Sequence, residues 1–292
     1  MSTLESNIHR VFDSLLPKII ARRQKSHQPV ILGITGLQGS GKSTWAAKIV
    51  QLLQSSHLNT VTISLDDLYK THDGLVAQRN QHPGNALYRT RGQPGTHDEQ
   101  LATQFFEHIR ANELPVAIPT FDKSKFHGEG DRAPESEWPV ITTKPDVLVF
   151  EGWCVGFQPL ATGEVTQRHA QAQEEPGSTL PRHRLEQLLQ VNDCLGKYCA
   201  AFMGPEHFDF LIHIDTHDLQ NVYTWRLEQE HKLLASRGVG MSDKEVAAFI
   251  DGYMPGYELY LGKLRQGFFN EGGKQMRVLL DKERRVESVK VI

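Results

Sequence analysis

Val30-Ile-Leu-Gly-Ile-Thr-Gly36-Leu-Gln-Gly-Ser-Gly41-Lys42-Ser43-Thr44 decides how the rest of the chain is read. Residues 30–35 are almost continuously apolar, which marks a strand buried on both faces. Residues 36–43 fit G-x-x-x-x-G-K-[ST], and residues 42–55 carry a helical pattern. Glycines in such a loop let backbone N–H groups turn inward around phosphate oxygens, and the positive end of the following helix adds to that field. The pattern therefore assigns Gly36, Leu37, Gln38, Gly39, Ser40, Gly41, Lys42, Ser43 and Thr44 to a nucleotide's phosphates. Lys42 is expected at the β- and γ-phosphates, and the Ser43 hydroxyl on Mg²⁺. A glycine-rich turn that merely packs strand on helix is the bland alternative, disfavoured by the strand–loop–helix context. No later strand is followed by Asn-Lys-x-Asp, the guanine-reading pattern, so ATP is the expected nucleotide.

Outward from this loop, strand-like runs alternate with helical ones. Thr60–Leu65, Asp146–Phe150, Phe208–Ile214 and Arg277–Leu280 read as strands, with 286–292 as a candidate edge strand. Residues 3–23 and 216–235 read as helices. Alternation of this kind predicts a single α/β domain over 1–292, with a doubly wound, mostly parallel sheet of about five strands and helices on both faces. Two long polar stretches, 70–98 and 119–139, read as functional or disordered loops. Residues 160–182, with almost no bulky apolar side chain, read as a mobile surface insertion.

Composition narrows the partners. The chain has 292 residues, 32 basic and 35 acidic, so bulk charge does not direct it to nucleic acid. No apolar run approaches the ~20 residues of a membrane-spanning helix. The N-terminus has neither a secretory nor a transit pattern, and three cysteines without a CxxC fit a reducing compartment, the cytoplasm and by extension the nucleus. The oligomeric state is left open. His213, Asp215 and His217 alternate as a metal site might, but a strand ending at 215–216 breaks their shared face.

Carboxylates stand at the carboxyl ends of two strands, where open α/β sheets bind ligands. Asp66 and Asp67 end one, and Glu151 the other. Phosphoryl transfer needs a carboxylate to hold metal and a group to accept the acceptor hydroxyl's proton. If the chain stays extended past residue 65, only one of Asp66 and Asp67 reaches the acceptor. Strand-end acids are also commonly just solvated.

Val61-Thr-Ile-Ser-Leu-Asp-Asp-Leu-Tyr69, the phosphate loop, Val147-Leu-Val-Phe-Glu-Gly-Trp153 and Pro119-Thr-Phe-Asp122 together resemble the small-molecule P-loop kinases that include uridine kinase, pantothenate kinase and phosphoribulokinase. Arg91-Gly-Gln-Pro-Gly-Thr-His-Asp98 and Phe121-Asp-Lys-Ser124 are most similar to the D-glycerate 3-kinase branch. The resemblance runs from about residue 30 to the C-terminus, outside 160–182. It implies a P-loop NTPase fold, ATP and Mg²⁺, and transfer to a hydroxyl of a small metabolite. By the same resemblance, Asp66 takes the acceptor proton, Glu151 lies near Mg²⁺ with Ser43 and Asp66, Arg226 is a lid arginine, and Asp122 belongs to the acceptor site. Arg237 is a second basic candidate for the lid, which lacks a clear run of arginines, and Leu68 replaces a more usual Phe. Arg91 is a candidate clamp for an acceptor carboxylate. His97 and Asp98 are candidates for its hydroxyls, although Asp98 could equally cap the helix that follows. Rival readings are a kinase of the same fold for a nucleoside or pantothenate, and an ATP-hydrolysing switch or assembly factor.

Overall fold

The computed structural model describes residues 3–238 and 240–292. Its strands are β1 (Val30–Gly36), β2 (Thr60–Ser64), β3 (Val116–Ala117), β4 (Phe121–Asp122), β5 (Asp131–Arg132), β6 (Val140–Ile141), β7 (Val147–Gly152), β8 (Phe210–Thr216), β9 (Gln275–Leu280) and β10 (Val286–Val291). Its helices are α1 (Thr3–Lys25), α2 (Lys42–Ser55), α3 (His72–Gln81), α4 (Glu99–Ala111), α5 (Thr162–Ala172), α6 (Leu185–Tyr198), α7 (Gln220–Arg237), α8 (Asp243–Asp251) and α9 (Met254–Gln266).

Six strands form the central sheet in the order β10-β9-β8-β1-β7-β2. The pairings are parallel except at the edge, where β10 runs antiparallel to β9. Every residue of β1 and β8 is buried. Burial of both alternating side-chain sets requires cover on both faces of the sheet, which explains why these strands read as unbroken apolar runs. The fold is that of an α/β P-loop NTPase, with one strand more than the sequence suggested.

Register positions the chemistry. Ile34 and Ser64 both lie level with Glu151 across the β1–β7 and β2–β7 ladders. The carboxyl ends of three adjacent strands therefore deliver the phosphate loop, Asp66 and Glu151 to one rim.

Several expectations are corrected here. Residues 160–182 are not a mobile insertion: they contain α5, which packs on α6 and buries Val165, Ala172 and Leu180. Polar bonds hold it as well. Arg168 donates to the Leu259 carbonyl at 2.6 Å, and Glu258 accepts from the Thr179 amide and hydroxyl at 2.9 and 2.6 Å. The 70–98 stretch contains α3 and a turn at Ala86–Tyr88; within 119–139 β4 pairs with β5, and β3 and β6 pair with each other just outside its two ends. The chain does not stay extended after β2. It turns into a 3₁₀ helix, Leu65–Leu68, closed by a capping box in which Asp67 accepts from the Ser64 amide at 3.0 Å.

His213 and Asp215 are buried, whereas His217 is exposed and lies near Glu287, so the three form no common site. Asp215 is bound instead by Arg265 and Arg277. Cys154, Cys194 and Cys199 are free thiols, and among the described residues no helix is long and apolar enough to cross a membrane.

Candidate active site

A cleft of about 490 Å³ opens where β1 meets α2. Leu37, Gln38, Gly39, Gly41, Lys42, Ser43 and Thr44 line its floor. Gly36 and Ser40, two of the loop residues expected to bind the nucleotide, are not among the lining residues. Ser40 is buried, and a Cβ at Gly36 would approach the Ser40 hydroxyl at 3.0 Å, so this pair supports the loop from behind. Gly39 adopts φ +77°, and a Cβ there would stand 2.7 Å from that of Trp225; glycine lets the loop pass close to α7. Gly41 is the N-cap of α2 with φ +87° and no side chain covering the first turn, which leaves helix N–H groups for an anion. The Gln38 amide is already engaged, donating to the Tyr257 hydroxyl at 3.0 Å.

Five cationic side chains line the cleft, Lys42, Lys123, Arg226, Lys232 and Arg284, against the carboxylates of Asp66 and Glu151. That excess of positive charge suits a polyphosphate. Four of the five are nonetheless paired. Lys42 meets Glu151. Lys123 lies 2.5 Å from Asp66. Arg226 donates to Glu230 at 2.8 Å, one helical turn on, with its guanidinium 4.9 Å from the Phe249 ring. Arg284 donates to the Gly39 carbonyl at 2.8 Å, the Trp225 carbonyl at 3.0 Å and Glu228 at 2.7 Å, tying the β9–β10 hairpin to both phosphate loop and α7.

Burial lowers the Lys42 pKa to about 8, against the attraction of Asp66. For Asp66, burial pushes upward, but the charge of Lys123 and its hydrogen bond outweigh it, so the carboxylate is held below its ordinary range. Asp66 also accepts from the Tyr69 hydroxyl at 3.0 Å. It is thus an ionised carboxylate fixed at both oxygens, within the cleft that holds Lys42. Asp67, confined to the capping box, lies outside this cleft lining.

The expected acceptor residues are not among the residues lining the cleft. Asp98 caps α4, accepting from the Leu101 amide at 3.0 Å, and pairs with Arg132 at 2.7 Å. Asp122 closes on Ser124, accepting from its amide and hydroxyl. Arg91 donates to the Gly128 and Glu129 carbonyls at 2.6 Å each and lies over the Tyr69 and Phe121 rings. His97 is fully buried and stacks on Tyr69 with centroids 4.4 Å apart. Its Nδ1 lies 3.1 Å from the Tyr198 hydroxyl, and its Nε2 has no partner among the described residues. Burial holds His97 down to about 3, so the ring is neutral. The side chain of Arg237 lies outside the described residues.

Lys123 and Arg284 escaped the sequence reading. Lys123 follows Asp122 directly in the Phe121–Ser124 segment, and nothing in its local sequence separates it from a solvated loop lysine. Arg284 had no local signal, because its targets lie more than fifty residues away in the chain.

Ser43, Asp66 and Glu151 offer a hydroxyl and two carboxylates, the hard oxygen donors Mg²⁺ requires. Among the described residues no group of three His, Cys, Asp or Glu forms a protein-only metal cage. A donor set of this kind suits an ion that also takes oxygens from nucleotide phosphates.

The comparisons agree with this geometry. The Phosphoribulokinase / Uridine kinase family matches residues 31–159. "Uncharacterized kinase mug58" of Schizosaccharomyces pombe is 38% identical over 263 residues, covering 89% of this chain and 91% of that protein. The chloroplastic D-glycerate 3-kinase of Arabidopsis thaliana is 34% identical over 239 residues, 81% of this chain and 48% of that protein. The structure of D-glycerate 3-kinase from Cryptococcus neoformans superposes with a TM-score of 0.88 at 30% identity, covering 98% of this chain and 99% of that one. The chain belongs to the phosphoribulokinase/uridine kinase family of P-loop kinases, whose members use ATP with Mg²⁺.

Proposed function

We propose that this kinase transfers the γ-phosphate of ATP to a hydroxyl of a small hydroxy acid, D-glycerate, in the cytoplasm. One observation carries the reading: the Arg91–Asp98 segment is built against the candidate base. His97 bridges to Tyr69 and stacks on it, and Tyr69 donates to Asp66. The adjacent Gly92 carbonyl accepts from Trp153 Nε1 at 2.9 Å, and a Cβ at Gly92 would meet the Tyr253 hydroxyl at 2.7 Å. The segment thus packs around Asp66 instead of forming a solvated loop. The relatives at 30–34% identity that carry the glycerate kinase name lend support.

In this reading Lys42 and Arg226 leave Glu151 and Glu230 to meet phosphate charge. Asp66 accepts the proton of the attacking hydroxyl. Ser43, Asp66 and Glu151 would hold Mg²⁺, which would supply neutralisation of phosphate charge. Arg91 exchanges a carbonyl bond for the acceptor carboxylate, beside His97, Asp98 and Asp122. Catalysis is then positioning and charge neutralisation.

The test is ATP consumption across a panel of hydroxy acids, nucleosides and pantothenate, with the phosphorylated product identified by mass. Phosphoglycerate formation supports the proposal. A phosphorylated nucleoside or pantothenate refutes the acceptor. Hydrolysis stimulated only by a protein partner refutes the kinase reading in favour of a switch.

A further inference from the structure

The loop 123–130 is pinned in place, yet the lysine at its start is held by one contact. Asp122 fixes the entry to the loop through Ser124. Within the loop, the Gly128 and Gly130 amides both donate to the Lys125 carbonyl. Arg91 clamps its far side, and the His72 ring stacks on Phe126 at 3.7 Å between centroids. Lys123 itself is 55% exposed, and among the described residues its ammonium pairs with Asp66 alone. A flexible four-carbon stem on a fixed backbone can swing its charge without moving the loop.

Both oxygens of Asp66 are occupied, one by Lys123 and the other by Tyr69. A base must present an oxygen to the hydroxyl it deprotonates, at hydrogen-bond distance. A carboxylate oxygen accepts more than one bond, but a hydroxyl that reaches Asp66 from the cleft arrives where a partner already sits and competes with it. Tyr69 is buried under His97 and Phe121 and cannot withdraw, whereas Lys123 borders the open cleft. The oxygen that displaces Lys123 is the one that becomes bonded to phosphorus, so the displaced ammonium remains beside the group being transferred. Lys42, Asp66 and Lys123 line the same cleft, so the displaced ammonium and Lys42 face a common ligand.

Building on the kinase reading above, we infer that Lys123 is a catalytic cation, held on Asp66 until the acceptor hydroxyl displaces it and then bound to the phosphoryl group in transfer. In that step a lone pair of the acceptor oxygen forms the new bond to the γ-phosphorus. The bond from that phosphorus to the β–γ bridging oxygen breaks, leaving its electrons on ADP. The hydroxyl proton passes to Asp66. Lys123 keeps its protons throughout and neutralises oxygen charge opposite Lys42.

The decisive measurement is a double-mutant cycle read by single-turnover phosphoryl transfer from radiolabelled ATP with Mg²⁺. The reaction is run with the panel acceptor that the wild type phosphorylates and, separately, as the slow transfer to water. Lys123→Met should lower the transfer rate by roughly 10²-fold, the loss typical of a transition-state donor. Nucleotide affinity and acceptor KM should change by less than about threefold, as expected of an interaction made only in the transition state. Lys123→Arg should recover at least about tenfold of the loss, because it restores charge if not shape. In an Asp66→Asn background Lys123→Met should still cost roughly 10²-fold, because the phosphoryl group loses its cation even with no carboxylate to hold. A loss that vanishes in that background would overturn the inference and reduce Lys123 to a positioning residue for Asp66. A raised acceptor KM with unchanged rate would also overturn it, assigning the lysine to the acceptor's own charge. Failure of the kinase reading appears in the wild type alone, as no phosphorylated acceptor; the water reaction then still reads the Lys123 variants.

Discussion

Asp66 and Asp67 are adjacent carboxylates with different work, and replacing each by asparagine separates chemistry from folding. Asp66 is the ionised group in the cleft, bound to Lys123 and Tyr69. Asp66→Asn keeps the size and one acceptor oxygen but removes the base. General-base losses of roughly 10²–10⁴-fold in maximal rate are expected, equivalent to about 2.7–5.4 kcal/mol of barrier. Stability should barely change, because the Lys123–Asp66 pair is partly solvated and such pairs contribute about 0–1 kcal/mol. Asp67 behaves in the opposite way. Its carboxylate accepts from the Ser64 amide in the capping box that turns β2 into the 3₁₀ helix. Asp67→Asn retains part of that bond, and Asp67→Ala should cost about 1 kcal/mol of stability. Either Asp67 variant should keep its rate within about tenfold of wild type, since it touches the chemistry only through the backbone of its neighbour. The assay is steady-state turnover at saturating acceptor and Mg²⁺, alongside urea unfolding. Greater loss of maximal rate in Asp67→Asn than in Asp66→Asn would refute the proton-acceptor assignment.

Lys42→Ala should abolish turnover while circular dichroism and melting temperature stay close to wild type, since the side chain lines a cleft and is not part of the core; turnover within about tenfold of wild type would remove the phosphate-loop role. Replacing 160–182 by a short Gly/Ser linker should destabilise the fold by several kcal/mol, given about 1.5–3 kcal/mol for each large buried apolar side chain; an unchanged urea midpoint would contradict the packing of Val165 and Leu180. His213 is buried with both ring nitrogens lacking partners among the described residues, and burial holds it down to about 4. The unfolded chain takes up that proton below about 6.5, so stability should fall as pH drops from about 6.5 towards 4, and His213→Leu should flatten the slope measured by urea unfolding.

What was legible in the sequence was what local order determines. The strand–loop–helix unit occupies consecutive residues, and α2 spans the 42–55 read from its pattern. Strands buried on both faces announce themselves as apolar runs because no residue in them meets water. The Asp67 cap was legible too, since Ser64-x-x-Asp67 is a capping-box pattern, but the expectation of extended backbone hid it. Helix α5 was missed because composition was weighed over period: Val165 and Ala172 lie seven residues apart, two turns on one face. The acceptor side was least legible. Asp98 and Asp122 have the residue type a hydroxyl site needs, yet a cap and a turn claim them. Both bonds are local, and the capping alternative for Asp98 was open in the sequence; what spacing could not give is its pairing with Arg132, 34 residues away.

The same pairing explains how a cleft with five cations avoids indiscriminate anion binding. Lys42, Lys123, Arg226 and Arg284 each rest on a carboxylate, so a phosphate ligand that engages any of these four must exchange partners. The Lys123–Asp66 and Arg284–Glu228 pairs keep contact with solvent and contribute about 0–1 kcal/mol each, whereas Lys42–Glu151 and Arg226–Glu230 are largely buried, so breaking them without a replacement charge costs more. Inorganic phosphate reaching one cation gains one charge-assisted contact and leaves one carboxylate unpaired. A nucleotide triphosphate brings charge for several cations at once, and its Mg²⁺ compensates the carboxylates they release. The net gain therefore grows with the number of exchanges made together. Discrimination arises from the cost of leaving Asp66 and Glu151 uncompensated as much as from attraction to phosphate. Under the proposed mechanism the acceptor completes the set, since a hydroxyl that displaces Lys123 from Asp66 would free the base.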